Sequence, residues 1–305
     1  MSDLLKNRIA WAGLEFETPA DWEVSRHSPS FPSGGLVMVD RRRQRMEVAW
    51  RGCDREPDLR RSLEDLRERF SQPSSRSEPQ SLDSVAGWVG FWCRADDQSS
   101  VAHALHWQRG TGRLIHVSIV ARREDRVAGR RLAQAILRSF RDGGGGSRPI
   151  HWQAFGIDCQ SPPGWRLTST KVAPMDVELQ FRHFRSGGRH EDGPRATIRR
   201  LGMAATWFNG DMQAFVRSRD PELDFEFKPC RCQGHDALMA RAEGEIRKIY
   251  RWLGRRRTRL ELIWLCEPMN ALFRVITASP PQFPLQPQDF ELKCVPSMMM
   301  ADESA

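Results

Sequence analysis

Two periodicities run along the chain. In DVELQFRH (176–183), Val177, Leu179 and Phe181 alternate with Glu178, Gln180 and Arg182, the period of a half-buried strand. GLVMVD (35–40), RMEVAW (45–50) and RATIRRLG (195–202) are further short strands rich in apolar residues. The period then lengthens. In DLRRSLEDLRERF (58–70), Leu59, Leu63, Leu66 and Phe70 share one helical stripe behind a capping Asp58. NGDMQAFVRSRD (209–220) repeats the device, with Asn209 or Asp211 as cap and Met212, Phe215 and Val216 inward. A strand meander follows each helix: 85–95, 101–109 and 113–122 after the first; 234–244, 259–266 and 271–279 after the second. The first meander leads into a helix over 123–140, with Val127, Leu132, Ala135, Ile136 and Phe140 as its apolar face. The second leads into the Pro-rich SPPQFPLQPQDFELKCV (279–295), where a closing helix is shortened or recast.

The two series begin alike. LEFETPADW (14–22) and IDCQSPPGW (157–165) each open on an apolar residue, place Pro five positions on and close on Trp. The pattern reads as a tandem duplication of class α+β: two copies, each an antiparallel sheet with an inserted and a closing helix. The expected division is repeat 1 over 1–142, a Gly-rich linker over 143–149, repeat 2 over 150–296 and a disordered tail over 297–305.

In outline, each copy resembles the PsbP-like and DcrB-like superfamily. Leu14, Pro19, Trp22 and ILRSF (136–140) carry the resemblance in the first copy; Ile157, Pro162 and Trp165 carry it in the second. The second copy departs from the pattern by lacking a clear final helix. The superfamily's members are typically non-enzymatic: accessory subunits of photosystems, binders of small GTPases, or chaperones that cradle hydrophobic segments of type VI secretion effectors. The resemblance therefore implies a partner-binding module and carries no catalytic residue across.

Composition changes this picture little. The chain has 305 residues, 39% hydrophobic and 28% charged, enough to bury two cores. No apolar run approaches the roughly 20 residues of a membrane span, and no signal-peptide pattern opens the sequence. Seven cysteines, an odd number in a long chain, argue against a disulfide framework, and a cytoplasmic location is expected. The formal net charge is +8, shared equally by the two halves, and only five of 47 basic residues are Lys. Arg makes the better bidentate contacts to phosphate and carboxylate.

Three clusters offer chemistry. Seven of the 13 residues between 247 and 259 are basic: Arg247, Lys248, Arg251, Arg255, Arg256, Arg257 and Arg259. Such a segment can meet nucleic-acid phosphates, anionic lipid or an acidic protein face, or it can be a solvated hairpin loop. The run DRRRQR (40–45) reads more simply as a hairpin turn. Trp88 and Trp92 share a strand face, where aromatics fill a core or meet a partner. Cys230, Cys232 and His235 can supply three zinc ligands, but no second cysteine pair completes a structural site, and buried thiols at a strand entry are the simpler reading. No nucleophile elbow, zincin motif, P-loop or dinucleotide fingerprint is present.

The expected function is a non-catalytic cytoplasmic adaptor or chaperone, without cofactor, that binds a protein partner through sheet-face grooves using Trp88, Trp92 and the basic segment. The alternative is nucleic-acid or polyanion binding through 247–259, with peripheral contact to anionic membrane as a variant of it.

Overall fold

A computed structural model describes residues 5–70, 79–82, 85–96, 98–122, 126–142, 148–184, 193–245, 256–280 and 283–294. The chain forms two compact units, Met1–Gly145 and Gly146–Ala305.

The first unit contains β1 (Asn7–Trp11), β2 (Leu14–Thr18), β3 (Glu23–His27), β4 (Ser33–Val39), β5 (Gln44–Gly52), α1 (Leu59–Phe70), β6 (Gln80–Ser81), β7 (Val89–Arg94), β8 (Ser99–Gln108), β9 (Arg113–Arg122), α2 (Arg126–Ser139) and β10 (Arg141–Asp142). The second contains β11 (Ile150–Ala154), β12 (Ile157–Ser161), β13 (Trp165–Ala173), β14 (Asp176–His183), β15 (Arg195–Gly202), α3 (Ala204–Trp207), α4 (Met212–Arg219), β16 (Glu226–Cys232), β17 (His235–Glu245), β18 (Arg256–Cys266), β19 (Ala271–Ser279), a 3-10 turn (Pro287–Asp289) and β20 (Glu291–Lys293).

Each unit is built on a seven-stranded antiparallel sheet. The order is β3-β4-β5-β9-β8-β7-β6 in the first and β13-β14-β15-β19-β18-β17-β16 in the second, so both chains of strands fold in the same sequence. The period-2 residues face inward as their pattern dictates: Met46, Val48 and Trp50 on β5, and Val177, Leu179 and Phe181 on β14, are all buried.

The α+β expectation is overturned. Twenty strands face only four α-helices among the described residues, and the protein is mostly β. The helices decorate sheets rather than form a layer. No residue of α1 is buried, and α4 has only eight residues. The unpredicted strands include β1 and β11, and also β3, β13 and β16. β1 and β11 pair with β2 and β12 across two-residue turns, Ala12–Gly13 and Phe155–Gly156. All four turn residues have positive φ, the twist that suits a tight hairpin. The Pro-x-x-Trp echo then closes identically in both units: the Trp22 amide donates to the Pro19 carbonyl at 3.1 Å, and Trp165 to Pro162 at 3.3 Å.

Local helix chemistry follows the expected caps. Asp58 accepts from the Arg60 and Arg61 amides, and Asp211 from the Ala214 amide. The buried face of α2 differs from the expected one: Ala133, Ile136 and Leu137 are buried, whereas Val127 is 66% exposed. α2 lies close on β9, because Gly129 presents no side chain to Ala121. In the second unit, the Pro-rich end does the covering. Phe290 packs edge-on against Trp165, and the Leu285 carbonyl accepts from the Thr277 hydroxyl.

Candidate functional site

In the first unit, Trp88 lies beside the isolated bridge Val85–Trp88, just before β7. Its ring packs 5.0 Å from His106 on β8 and 5.2 Å from Phe140 at the end of α2. The His106 Nδ1 lies 2.6 Å from the Gly87 carbonyl, which fixes the ring. These groups wall a cavity of about 740 Å³, with Ile115 and Leu137 completing its apolar floor. Arg109, Arg138 and Arg141 stand around it. Arg109 pairs with Glu56 at 3.3 Å. The cavity therefore joins an apolar floor to a cationic rim, a combination suited to an apolar group flanked by carboxylates.

Trp92 is elsewhere. It sits within β7, opposite Ala102 and Gln80, and like Trp88 is more than nine-tenths buried. The two tryptophans do not form an open aromatic platform, because both are buried.

Most of the basic segment, including Arg247, Lys248, Arg251 and Arg255, lies outside the described residues. Arg256 and Arg257 begin β18, pairing in register with Glu245 and Gly244; their side chains are likewise outside the description. Arg259 is engaged: its guanidinium binds the Asp220 carboxylate through two hydrogen bonds and lies 3.5 Å from Glu261. In DRRRQR, Asp40 accepts from the Arg42 and Arg43 amides and from the Arg45 side chain, the bonding of a hairpin turn.

The thiol cluster is rearranged by the fold. Cys230 and Cys232 lie on β16, opposite Ala237 and His235. The His235 imidazole instead meets Cys294, its Nε2 3.2 Å from the thiol sulfur. With Cys266 at the end of β18, the three offer one nitrogen and two sulfurs, all within 4.8 Å of one another. Gln233, in the left-handed turn between β16 and β17, clamps this arrangement: its amide accepts from the Cys294 backbone N–H and donates to the Leu292 carbonyl. Burial, and then the adjacent Cys266, push the Cys294 thiol up to about 11, while the Trp264 indole opposes the rise. Sequence proximity pointed to the wrong two cysteines. The position of Cys294, in the segment that covers the sheet, left no local signal.

No family model matches the chain, and no curated protein matches it. Among solved structures, the apo immunity protein TplEi of T6SS from Pseudomonas aeruginosa is similar at 10% identity and a TM-score of 0.40, over 92% of this chain and 90% of that one. A chain of the Tle4–Tli4 complex is similar at 9% identity and a TM-score of 0.36, over 92% of this chain and 87% of that one. Neither is a PsbP-like or DcrB-like protein by its description. Among the described residues, no helix is long and apolar enough to cross a membrane.

Proposed function

We propose that the protein is a non-catalytic adaptor or chaperone, acting in the cytoplasm, that holds an apolar, acid-flanked segment of a protein partner in the cavity of the first unit. The carrying observation is the cavity's composition: Trp88, Ile115, Leu137 and Phe140 below, and Arg109, Arg138 and Arg141 around. Burial of an apolar side chain supplies affinity, at about 25 cal/mol per Å² of apolar surface. The guanidinium rim selects for carboxylates and speeds encounter. The proposal extends to kinship with PsbP-like and DcrB-like domains, supported by the matching Pro19–Trp22 and Pro162–Trp165 turns.

The test uses a fluorescent peptide with a leucine pair between glutamates, and a control with lysines in their place. Saturable binding of the acidic peptide alone, weakened by charge reversal at Arg138 and Arg141, supports the proposal. Equal binding of both peptides, or of neither, overturns it. Labelled single-stranded RNA serves as the competing probe: tight binding lost on replacing Arg251, Arg255, Arg256 and Arg257 by Gln would move the function to polyanion recognition, with affinity falling steeply in salt.

A further inference from the structure

The cluster in the second unit carries an inference independent of the partner-binding cavity. We propose that His235, Cys266 and Cys294 form a binding site for a thiophilic d10 cation, zinc(II) in the first instance.

Three soft or borderline donors converge: the His235 Nε2, and the sulfurs of Cys266 and Cys294. Both thiols are buried, with Cys266 fully so and Cys294 2% exposed; His235 is half-buried and gives the metal its entry side. Zn–S bonds of about 2.3 Å and Zn–N bonds of about 2.0–2.1 Å place tetrahedral donors roughly 3.4–3.8 Å apart. The three donor atoms, within 4.8 Å of one another and with one pair at 3.2 Å, reach that spacing by sub-ångström movements.

Two further observations point the same way. The buried Trp264 indole N–H lies against Cys294 and opposes the rise of its thiol, so it favours the thiolate. A metal-bound thiolate offers that donor the negative charge that a neutral thiol lacks. The ligands also come from a rigid frame. His235 opens β17 and Cys266 closes β18, two residues beyond the Ala237–Trp264 pair, and Gln233 fixes the backbone of Cys294. Binding displaces one proton from each thiol: zinc(II) and two thiols give a bis-thiolate complex and two protons, with the neutral imidazole as third ligand. The fourth position is left to water. Affinity therefore rises with pH.

The test is titration of the reduced, chelator-stripped full chain with cobalt(II) as a spectroscopic stand-in, followed by displacement with zinc(II). The expected result is one equivalent bound, with an intense near-ultraviolet thiolate-to-cobalt band and visible bands of tetrahedral cobalt, both abolished by zinc. Cys294→Ser and His235→Gln are expected to weaken binding at least tenfold, while Cys230→Ser leaves it unchanged. His235 is half-buried, so its variant keeps the test valid if a core cysteine variant misfolds. Absence of the thiolate band in the native chain overturns the proposal. So does a band that survives Cys294→Ser and disappears with Cys230→Ser. Either outcome leaves the peptide test of the first unit untouched.

Discussion

His103 and His116 meet across β8 and β9, with Nδ1 of the first 3.2 Å from Nε2 of the second. They are diagonal neighbours: His103 is opposite Ser118, and His116 opposite Leu105. Phe70 stacks on His103 at 4.4 Å, and Phe91 lies tilted at 5.2 Å. Burial and the adjacent His116 lower the His103 pKa to about 4. Burial also lowers His116, with Glu47 opposing and Arg69 reinforcing the effect. The pair serves as neutral core material.

Stability should therefore fall on acidification between about pH 6.5 and 4. In that window the unfolded chain takes up a proton that folded His103 refuses, so protons favour unfolding. The loss for this group is up to about 3 kcal/mol. Urea unfolding across the window measures it, and His103→Leu should flatten the slope. An unchanged slope would show that His103 is protonated in the folded protein.

Arg274 and Glu261 form a buried pair at 2.7 Å, with side chains 3% and 0% exposed. Arg274→Met should cost up to about 3–5 kcal/mol, because it removes the nearer of the two guanidinium partners of a buried carboxylate and leaves Glu261 only Arg259, 3.5 Å away. Adding Glu261→Leu should recover much of the loss. Chemical denaturation of both variants checks the order, and a double variant no better than the single one contradicts it.

Gly129 allows α2 to approach β9. A Cβ there would stand 2.6 Å from that of Ala121. Alanine at a helix interior normally gains up to about 1 kcal/mol over glycine. Here the clash should win, and Gly129→Ala should destabilise by roughly 1–3 kcal/mol. A raised melting temperature would show that the helix shifts freely.

Arg138→Glu with Arg141→Glu should weaken the acidic peptide roughly tenfold or more and slow its association, since rim charges steer encounter and carboxylates would now repel. Both residues are exposed, so thermal stability should change little. Anisotropy titration at two salt concentrations reads the effect. Equal affinity for native and reversed chains would place the peptide elsewhere.

Much of the strand framework was legible in the sequence. The β9 and β19 segments, RLIHVSIVAR and ALFRVITAS, coincide with the strands themselves, because short runs of branched apolar residues bounded by turn residues favour a strand. The helix caps Asp58 and Asp211 were equally local. Strands β1 and β11 were hidden because Ala12–Gly13 and Phe155–Gly156 lack the usual Asn-Gly or Asp-Gly signature. Without a local signal for those strands, the helical stripes weigh too heavily in the sequence, and it points to α+β. Trp88 stands out in the sequence by its residue type; its place beside Phe140, 52 residues away, is not in any local pattern.

By itself, then, the sequence determined the duplicated opening turn, the alternation of the long strands and the capping of the helices, all of which depend on neighbours a few residues apart. Tertiary structure alone decided which cysteines meet. Cys230 and Cys232 sit five and three residues from His235, yet the imidazole finds Cys294, 59 residues on. Hairpin pairing fixes which way β17 presents His235, and the Gln233 clamp on the β20 segment brings Cys294 to it. Donor convergence is a property of distances in space, and separation along the chain does not encode it.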